Sequence, residues 1–424
     1  MRRSLIVILS CLLFAGKLMA GGFNINEAGA RAIAMGNAVT AQAYDASVLF
    51  YNPAGLAFLQ GTQFYGGTTL IFPRTNFVGA SPTFDGTEHE TRKQVFLPSG
   101  LCVTHQFNDL FSAGISLTSP FCLGVEWQED FPGRGLSQDV DLASFYISPI
   151  VALKLHPNFS IAGGVDFVLA TVKLKRSTLI FGSEGSPGTE VGVVQLKGTS
   201  NLELGFTAGV MYRTEKLGLG ASYRHSVTNR FEDADATFTL SENLAPKTAA
   251  FAQGLFIDQN VNAAIDFPNY FAVGIYYKLT KKLGVEVDYA WYGWSEFEKI
   301  VFDFDDKRLN QTLEQNYHNS SQVRVGVHYE ATDKLSLRAG YIYDETPQPI
   351  ESVTPLLADD TRNDFAVGVG YKFGSFQLDA GFMFVDIGDR STVENGVGKN
   401  ENGFNGVYTS KANLFFVSFG YTIK

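Results

Sequence analysis

The sequence predicts an all-β membrane protein: a 14-stranded antiparallel transmembrane β-barrel closed around a small, partly helical N-terminal plug. Three observations carry that reading. Short runs of alternating apolar and polar residues fill the chain from about Gln63 to its end. The connections between these runs alternate strictly between short and long. No apolar run after the N-terminus approaches the roughly 20 residues that a membrane-crossing helix needs. Period-two alternation gives a strand two different faces. Here the apolar face is the more uniform one, and the other carries charges that would not fill a dry core, as expected of lipid outside and a polar lumen inside.

Residues 1–20 read as an export signal. Arg2 and Arg3 form a basic start, Leu5 to Ala15 an apolar stretch, and Leu18, Met19 and Ala20 a cleavage site before Gly21. Removing them deletes Arg2, Arg3 and Lys17 and no acid, so 33 basic residues become 30 against 43 acidic ones, a net charge of −13. That balance argues against a nucleic-acid partner. A mean hydropathy of +0.01 suits a wall whose apolar and polar positions cancel. The expected location is the bacterial outer membrane, among its lipid and lipopolysaccharide.

Residues 21–62 do not alternate. Ala28, Gly29, Ala30, Ala32, Ala34, Gly36 and Ala38 recur at a loosely helical spacing, and Asp45 leads on to Asn52, Pro53 and Ala54. A compact segment of this kind fits inside a barrel. Residues 63–424 then supply the wall, with strands expected at 63–73, 94–107, 110–121, 142–157, 159–178, 193–214, 216–238, 267–280, 282–304, 319–332, 334–347, 361–373, 375–391 and 407–424. The short connections hold the Asn, Asp, Gly, Pro or Lys that tight turns favour. The even strand count leaves both chain ends on the periplasmic side.

Outward faces are expected at Leu217, Leu219, Ala221 and Tyr223, at Phe365, Val367, Val369 and Tyr371, and at Phe415, Val417, Phe419, Tyr421 and Ile423. The inward face mixes signs: Asp166, Arg224, Glu286, Asp288, Arg324, Arg338, Lys372 and Asp379. Inward glycines, among them Gly326, Gly340 and Gly368, leave room in the lumen. On this facing a charge at Val325 meets lipid, whereas loss of the Arg324 side chain spares folding. Cys102 and Cys122 fall roughly 20 Å apart if their strands pair across the Phe107–Asp109 turn, so no disulfide is expected.

Two long connections are too apolar for ordinary outer loops. Residues 239–266 contain Phe251, Leu255 and Phe256, and residues 119–141 contain Phe121, Trp127 and Phe131. An exposed apolar patch usually marks a binding site, although the two loops can equally pack on each other and close the barrel top. Enzyme signatures are missing: there is no Gly-x-Ser-x-Gly elbow, phosphate loop or His-Glu-x-x-His. The six His residues show no metal-ligand spacing. No catalytic residue, metal or cofactor is expected. A plain porin or a barrel enzyme remains as an alternative, but a porin calls for a constriction loop rather than an N-terminal plug.

Gly22-Phe-Asn-Ile-Asn-Glu27, with Asn52-Pro-Ala54 after Asp45, resembles the start of the FadL-type outer-membrane hydrocarbon transporters. Ser119-Pro-Phe121, Trp127, Phe131 and Gly133-Arg134, then Pro149 to Lys154, form a second match. Ser410-Lys-Ala412 and Leu414-Phe415 running to Tyr421 form a third. The chain departs from the family in ending on Ile423 and Lys424, and in the short, Gly-rich loop after Arg176.

The resemblance implies a monomer with an N-terminal hatch that takes up long-chain fatty acids or toluene-like aromatics passively. Capture would fall to an outer groove including Phe121, Trp127, Phe131, Phe251, Leu255 and Phe256. Arg134 is there for a carboxylate head group, unless it serves only as a surface ion pair. Gly22 and Phe23 would line an inner site and move when ligand arrives. A kink in the third strand, permitted by Gly114 and faced by Asn52, Pro53 and Ala54, would open sideways into the membrane. Asn52 has a purely structural turn role as its other reading.

Overall fold

The computed structural model describes residues 21–180, 189–400 and 402–423. The export signal and most of the Gly-rich loop after Arg176 lie outside them. Fourteen antiparallel strands form the wall: β1 Thr62–Gly79, β2 Ser99–Gln106, β3 Phe111–Thr118 resuming at Cys122–Glu126, β4 Asp139–His156 and β5 Phe159–Ile180. Then come β6 Thr189–Thr199 with Glu203–Arg213, β7 Leu217–Arg224 with Val227–Leu240, β8 Gln259–Phe267 with Tyr270–Lys278, and β9 Leu283–Tyr292 with Lys299–Phe304. The last five are β10 Ser320–Glu330, β11 Leu335–Asp344, β12 Arg362–Phe373, β13 Phe376–Ser391 and β14 Gly406–Ile423. Each pairs with its neighbour in sequence, and β14 pairs with β1 from Thr62↔Ile423 to Gly79↔Gly406. Closure leaves no free sheet edge.

The lipid face follows the alternation. Phe365, Val367, Val369, Phe415, Val417 and Phe419 are exposed, and Asp364, Ala366, Leu414 and Phe416 between them are buried. Asp166, Arg224, Glu286, Asp288, Arg324, Arg338 and Asp379 are buried in the lumen, as expected. Lys372 also faces inward, at the open end among the short turns, where it lines a cavity with Tyr44 and Asp45. Both cysteines are free.

Three differences from the expected strands bear on function. First, β8 begins at Gln259, so the end of the presumed 239–266 loop is wall, and the helix Pro246–Leu255 stands above it. Second, β6 to β9 are each interrupted midway, β9 by a turn at Trp294–Glu296. Third, the break in β3 falls at Ser119–Phe121, where Pro120 has no N–H to give the ladder. Gly114 sits in unbroken pairing with Thr104 and Ile150.

Residues 21–61 fill the lower and middle lumen. Ala30–Ile33 and Val48–Tyr51 form two single-turn helices, followed by a 3-10 turn at Pro53–Phe58. The inward glycines are contact points rather than spare room: a Cβ on Gly326 would stand 2.5 Å from the carbonyl oxygen of Met35, and one on Gly340 would collide with the Gly36 backbone. Two carboxylates of β9 take the backbone of this segment directly. Asp288 accepts from the Val39 and Thr40 N–H groups at 3.0 Å and from Thr40 Oγ1 at 2.7 Å. Glu286 accepts from Ala41 N–H at 2.6 Å. Arg324 donates to the Tyr292 hydroxyl at 3.0 Å, to the Tyr270 hydroxyl at 3.3 Å and to the Asn37 carbonyl at 3.4 Å.

These contacts revise the reading of Arg324. Val325→Arg places a charge on the lipid face near the middle of β10 and is expected to cost about 2–4 kcal/mol of barrel stability. Arg324→Ala should leave the barrel folded but weaken docking of residues 21–61 by about 2–3 kcal/mol, through lost charge-assisted hydrogen bonds. Heat-modifiable gel mobility reports the first effect, and protease access to the N-terminal segment reports the second.

Candidate functional site

Above the docked segment the lumen wall changes character. On the lower wall the inward positions are charged, small or Gly, as at Asp166, Gly274, Glu286 and Gly326. On the upper wall they become apolar, as at Leu142, Leu174, Leu196, Ile265 and Ile300. Together with Phe231, Phe297, Phe302, Tyr317, Leu356 and Leu357 they line an apolar cavity of about 80 Å³. Lys197, next along the strand from inward Leu196, is exposed and points to the outer face beside Lys173 and Asp235, so the lining is apolar throughout.

Phe23 makes the floor. Its ring is 5% exposed and meets four others edge-on: Trp294 at 4.7 Å, Phe297 at 5.6 Å, Phe267 at 5.9 Å and Phe121 at 6.1 Å between centroids. Such pairs add specific aromatic attraction to the burial itself. Gly22 takes φ +66°, and a Cβ there would stand 2.8 Å from the Trp294 ring, so this bend needs glycine.

The same few residues also complete the third strand. Ile25 N–H donates to the Pro120 carbonyl at 2.8 Å, and Cys122 N–H donates to the Phe23 carbonyl at 3.2 Å, with Asn24 bridging to Phe121. The opposite edge of Phe121 is bonded to Ser144 of β4. Residues 23–25 therefore lie along the edge of β3 that β2 leaves free, since β2–β3 pairing stops at Leu101↔Leu117. One segment serves as cavity floor and as patch on the broken strand.

The remaining sequence-derived site residues separate into groups. Phe121 belongs to the floor cluster, stacked on Phe267 at 4.6 Å. Trp127 and Phe131 stack on each other at 4.0 Å in a different cluster with Phe77, Val353 and Tyr408, where Trp127 Nε1 donates to the Pro355 carbonyl. They close the barrel top and do not line the cavity. Arg134 is held by Glu190 at 2.7 Å and by the Phe131 carbonyl, so the ion-pair reading describes its contacts. Phe256 lines an outer groove with Phe238, Phe304, Leu136 and Leu179, whereas Phe251 and Leu255 lie on the helix Pro246–Leu255 outside its lining. Asn52 is buried away from the β3 break: it donates to the Thr40 carbonyl at 2.7 Å and to Val210 of β6 at 3.1 Å, and caps the turn at Ala54. Pro53 begins that turn, and the Ala54 carbonyl accepts from Ser160 of β5.

Sequence reading missed the cavity wall. The signal was available in the strands whose inward residues turn apolar along their upper halves. Groove and cavity are stacked along the same inward faces: Val194 and Leu196 of β6, and Phe304 and Phe302 of β9, are two residues apart, roughly 7 Å.

Partly buried Glu27 adds a pH dependence. Burial pushes its carboxyl up to about 7 against the pull of Arg362 and Arg324, and Asp364 also faces it. A raised folded value means that the docked segment favours the neutral acid. That contribution is complete below the ordinary carboxylate range and is lost as pH rises through about 7. The N-terminal segment should release more readily at pH 8 than at pH 5.5, and Glu27→Gln should flatten the difference, read as protease access to residues 21–30.

Residues 11–423 match the family model described as outer membrane protein transport protein (OMPP1/FadL/TodX). The chain is 22% identical to the long-chain fatty acid transport protein of Escherichia coli O6:H1, over 96% of each chain. Among solved structures, a Pseudomonas aeruginosa FadL homologue superposes with a TM-score of 0.84 at 20% identity, covering 95% of this chain and 100% of that one. The Ralstonia pickettii toluene transporter TbuX gives 0.70 at 17% identity, covering 95% and 100%. The chain belongs to the OMPP1/FadL/TodX family of outer membrane transport proteins.

Proposed function

We propose that this protein carries hydrophobic small molecules inward across the outer membrane, and that its ligands are long-chain fatty acids. The carrying observation is the apolar cavity whose floor, Phe23, is also bonded to the free edge of β3. A ligand caught in the outer groove beside Phe256 and Phe238 descends the shared inward faces into the cavity. Sequestering about nine methylenes of an acyl chain along groove and cavity together supplies roughly 7 kcal/mol. A site that deep holds its cargo until something gives way. Displacing Phe23 removes the floor and, with the same movement, frees the β3 edge at Ser119–Phe121. That exposes a gap in the wall toward lipid, through which an apolar ligand leaves without crossing the polar lower lumen. No energy source is required, because the ligand moves from water to membrane.

The fatty-acid reading is favoured by the groove and cavity stacked along the same inward faces, a long apolar path that suits a hydrocarbon tail. The aromatic reading has support from the rings of Phe23, Phe231, Phe297 and Phe302. The two are separated by competition binding of oleate and toluene to the detergent-purified barrel. Phe23→Ala is expected to weaken saturable oleate binding. Toluene binding without oleate binding moves the assignment to aromatic hydrocarbons. Binding of neither, with ion conductance in planar bilayers, overturns the transporter reading.

A further inference from the structure

The start of the described chain lies in a pocket of carboxylates. A Cβ on Gly21 would stand 2.6 Å from Oδ2 and 2.7 Å from Oδ1 of Asp344. Bond geometry sets a residue's nitrogen about 2.5 Å from its Cβ position, so the Gly21 nitrogen is within roughly 5 Å of that carboxylate. Asp344 is 4% exposed, and its Oδ1 has no hydrogen-bond partner among the described residues. One residue on, Gly22 N–H donates to Asp359 at 2.9 Å and the Gly22 carbonyl accepts from Arg362. Asp364, also buried with an unpartnered Oδ1, faces Asp344, Asp359 and Glu27. Four carboxylates thus share one region, and the guanidiniums facing Asp344 there are those of Arg362 and Arg324. A buried carboxylate without a cation is costly, so this cluster is short of positive charge.

We propose that the missing cation is the α-ammonium of Gly21, created when the export signal is removed, and that Asp344 is the positioning residue that seats it. Hydrolysis of the Ala20–Gly21 peptide bond by a signal peptidase adds one water, leaves a carboxylate on Ala20 and frees an amine on Gly21, which takes up a proton at neutral pH. An uncut or extended chain presents a neutral amide at that position and cannot supply the charge. The ammonium fixes residue 21, Asp359 and Arg362 fix residue 22, and Phe23 is thereby held at the cavity floor. The absence of a side chain at Gly21 follows, because any Cβ would displace the Asp344 carboxylate. Processing and closure of the cavity are then one event: the floor is set only in exported, cleaved protein. The proposal stands whichever ligand the cavity takes.

The test is the reactivity of the α-amine. Intact mass first fixes the mature start, which must be Gly21. Trace acetylation of the folded barrel across pH, read by mass spectrometry of the N-terminal peptide, is expected to show an amine at least tenfold less reactive than that of the unfolded chain. Asp344→Asn should restore ordinary reactivity. So should a single alanine inserted ahead of Gly21, which leaves the barrel wall untouched and so covers the case in which Asp344→Asn misfolds. Both changes should speed oleate release, and combining them should add nothing further. A different mature start, or an amine equally reactive in native and Asp344→Asn protein, overturns the proposal. Neither result touches oleate binding by the native protein, which is measured separately.

Discussion

Two carboxylates on neighbouring inward positions of β9 hold the molecule's function together. Asp288 and Glu286 are fully buried, and each turns one carboxylate oxygen to the backbone amides of Val39, Thr40 and Ala41. Backbone N–H groups in a short irregular segment have no helix or sheet to bond to, and leaving them buried and unpaired would be expensive. The carboxylates answer that need, and the amides in turn compensate buried charge. Without this exchange, residues 21–61 would have little reason to lie inside the wall, and the upper lumen would have no floor.

From that anchor the arrangement propagates upward. Arg324, bonded to Asn37 and to the hydroxyls of Tyr270 and Tyr292, carries the docking one layer higher, and Tyr292 passes it on to Asn24 and Asn26. Asn24 sits between Phe23, which closes the cavity, and Ile25, which patches β3. A polar lower lumen thus positions an apolar upper one. The separation is physical: charges gather where the segment offers amides and carbonyls, and rings gather where the segment ends.

Much of this was legible in the sequence. The 14 strands follow from alternation because lipid enforces a uniform outward face, as in β12 and β14. The mixed inward charges and the plug-like Ala-rich segment were visible for the same reason. What escaped notice lies above the lipid band, where the pattern reverses. In Gln259–Phe267 the outward residues include Asn260, Asn262 and Asp266, and the inward ones Val261, Ile265 and Phe267, so a strand read as an apolar loop. Asn52 was placed at the β3 break because motif position carries no distance. Its amide instead serves the Thr40 and Val210 carbonyls. The break itself was signalled by Pro120, which cannot donate to a ladder, more clearly than by Gly114.

The central claim is that residues 23–25 close the cavity and the third strand together and must move for cargo to pass. Asn24 and Phe121 face each other as a bridge pair whose neighbours, rather than themselves, make the hydrogen bonds. Such pairs bring Cα atoms to about 4.5 Å, within disulfide range. The most direct measurement is oleate uptake by cells carrying Asn24→Cys and Phe121→Cys, with Cys102 and Cys122 replaced by Ser. Uptake abolished under oxidation and restored by reductant is the predicted result. Equal uptake with the bridge closed and open would contradict the account.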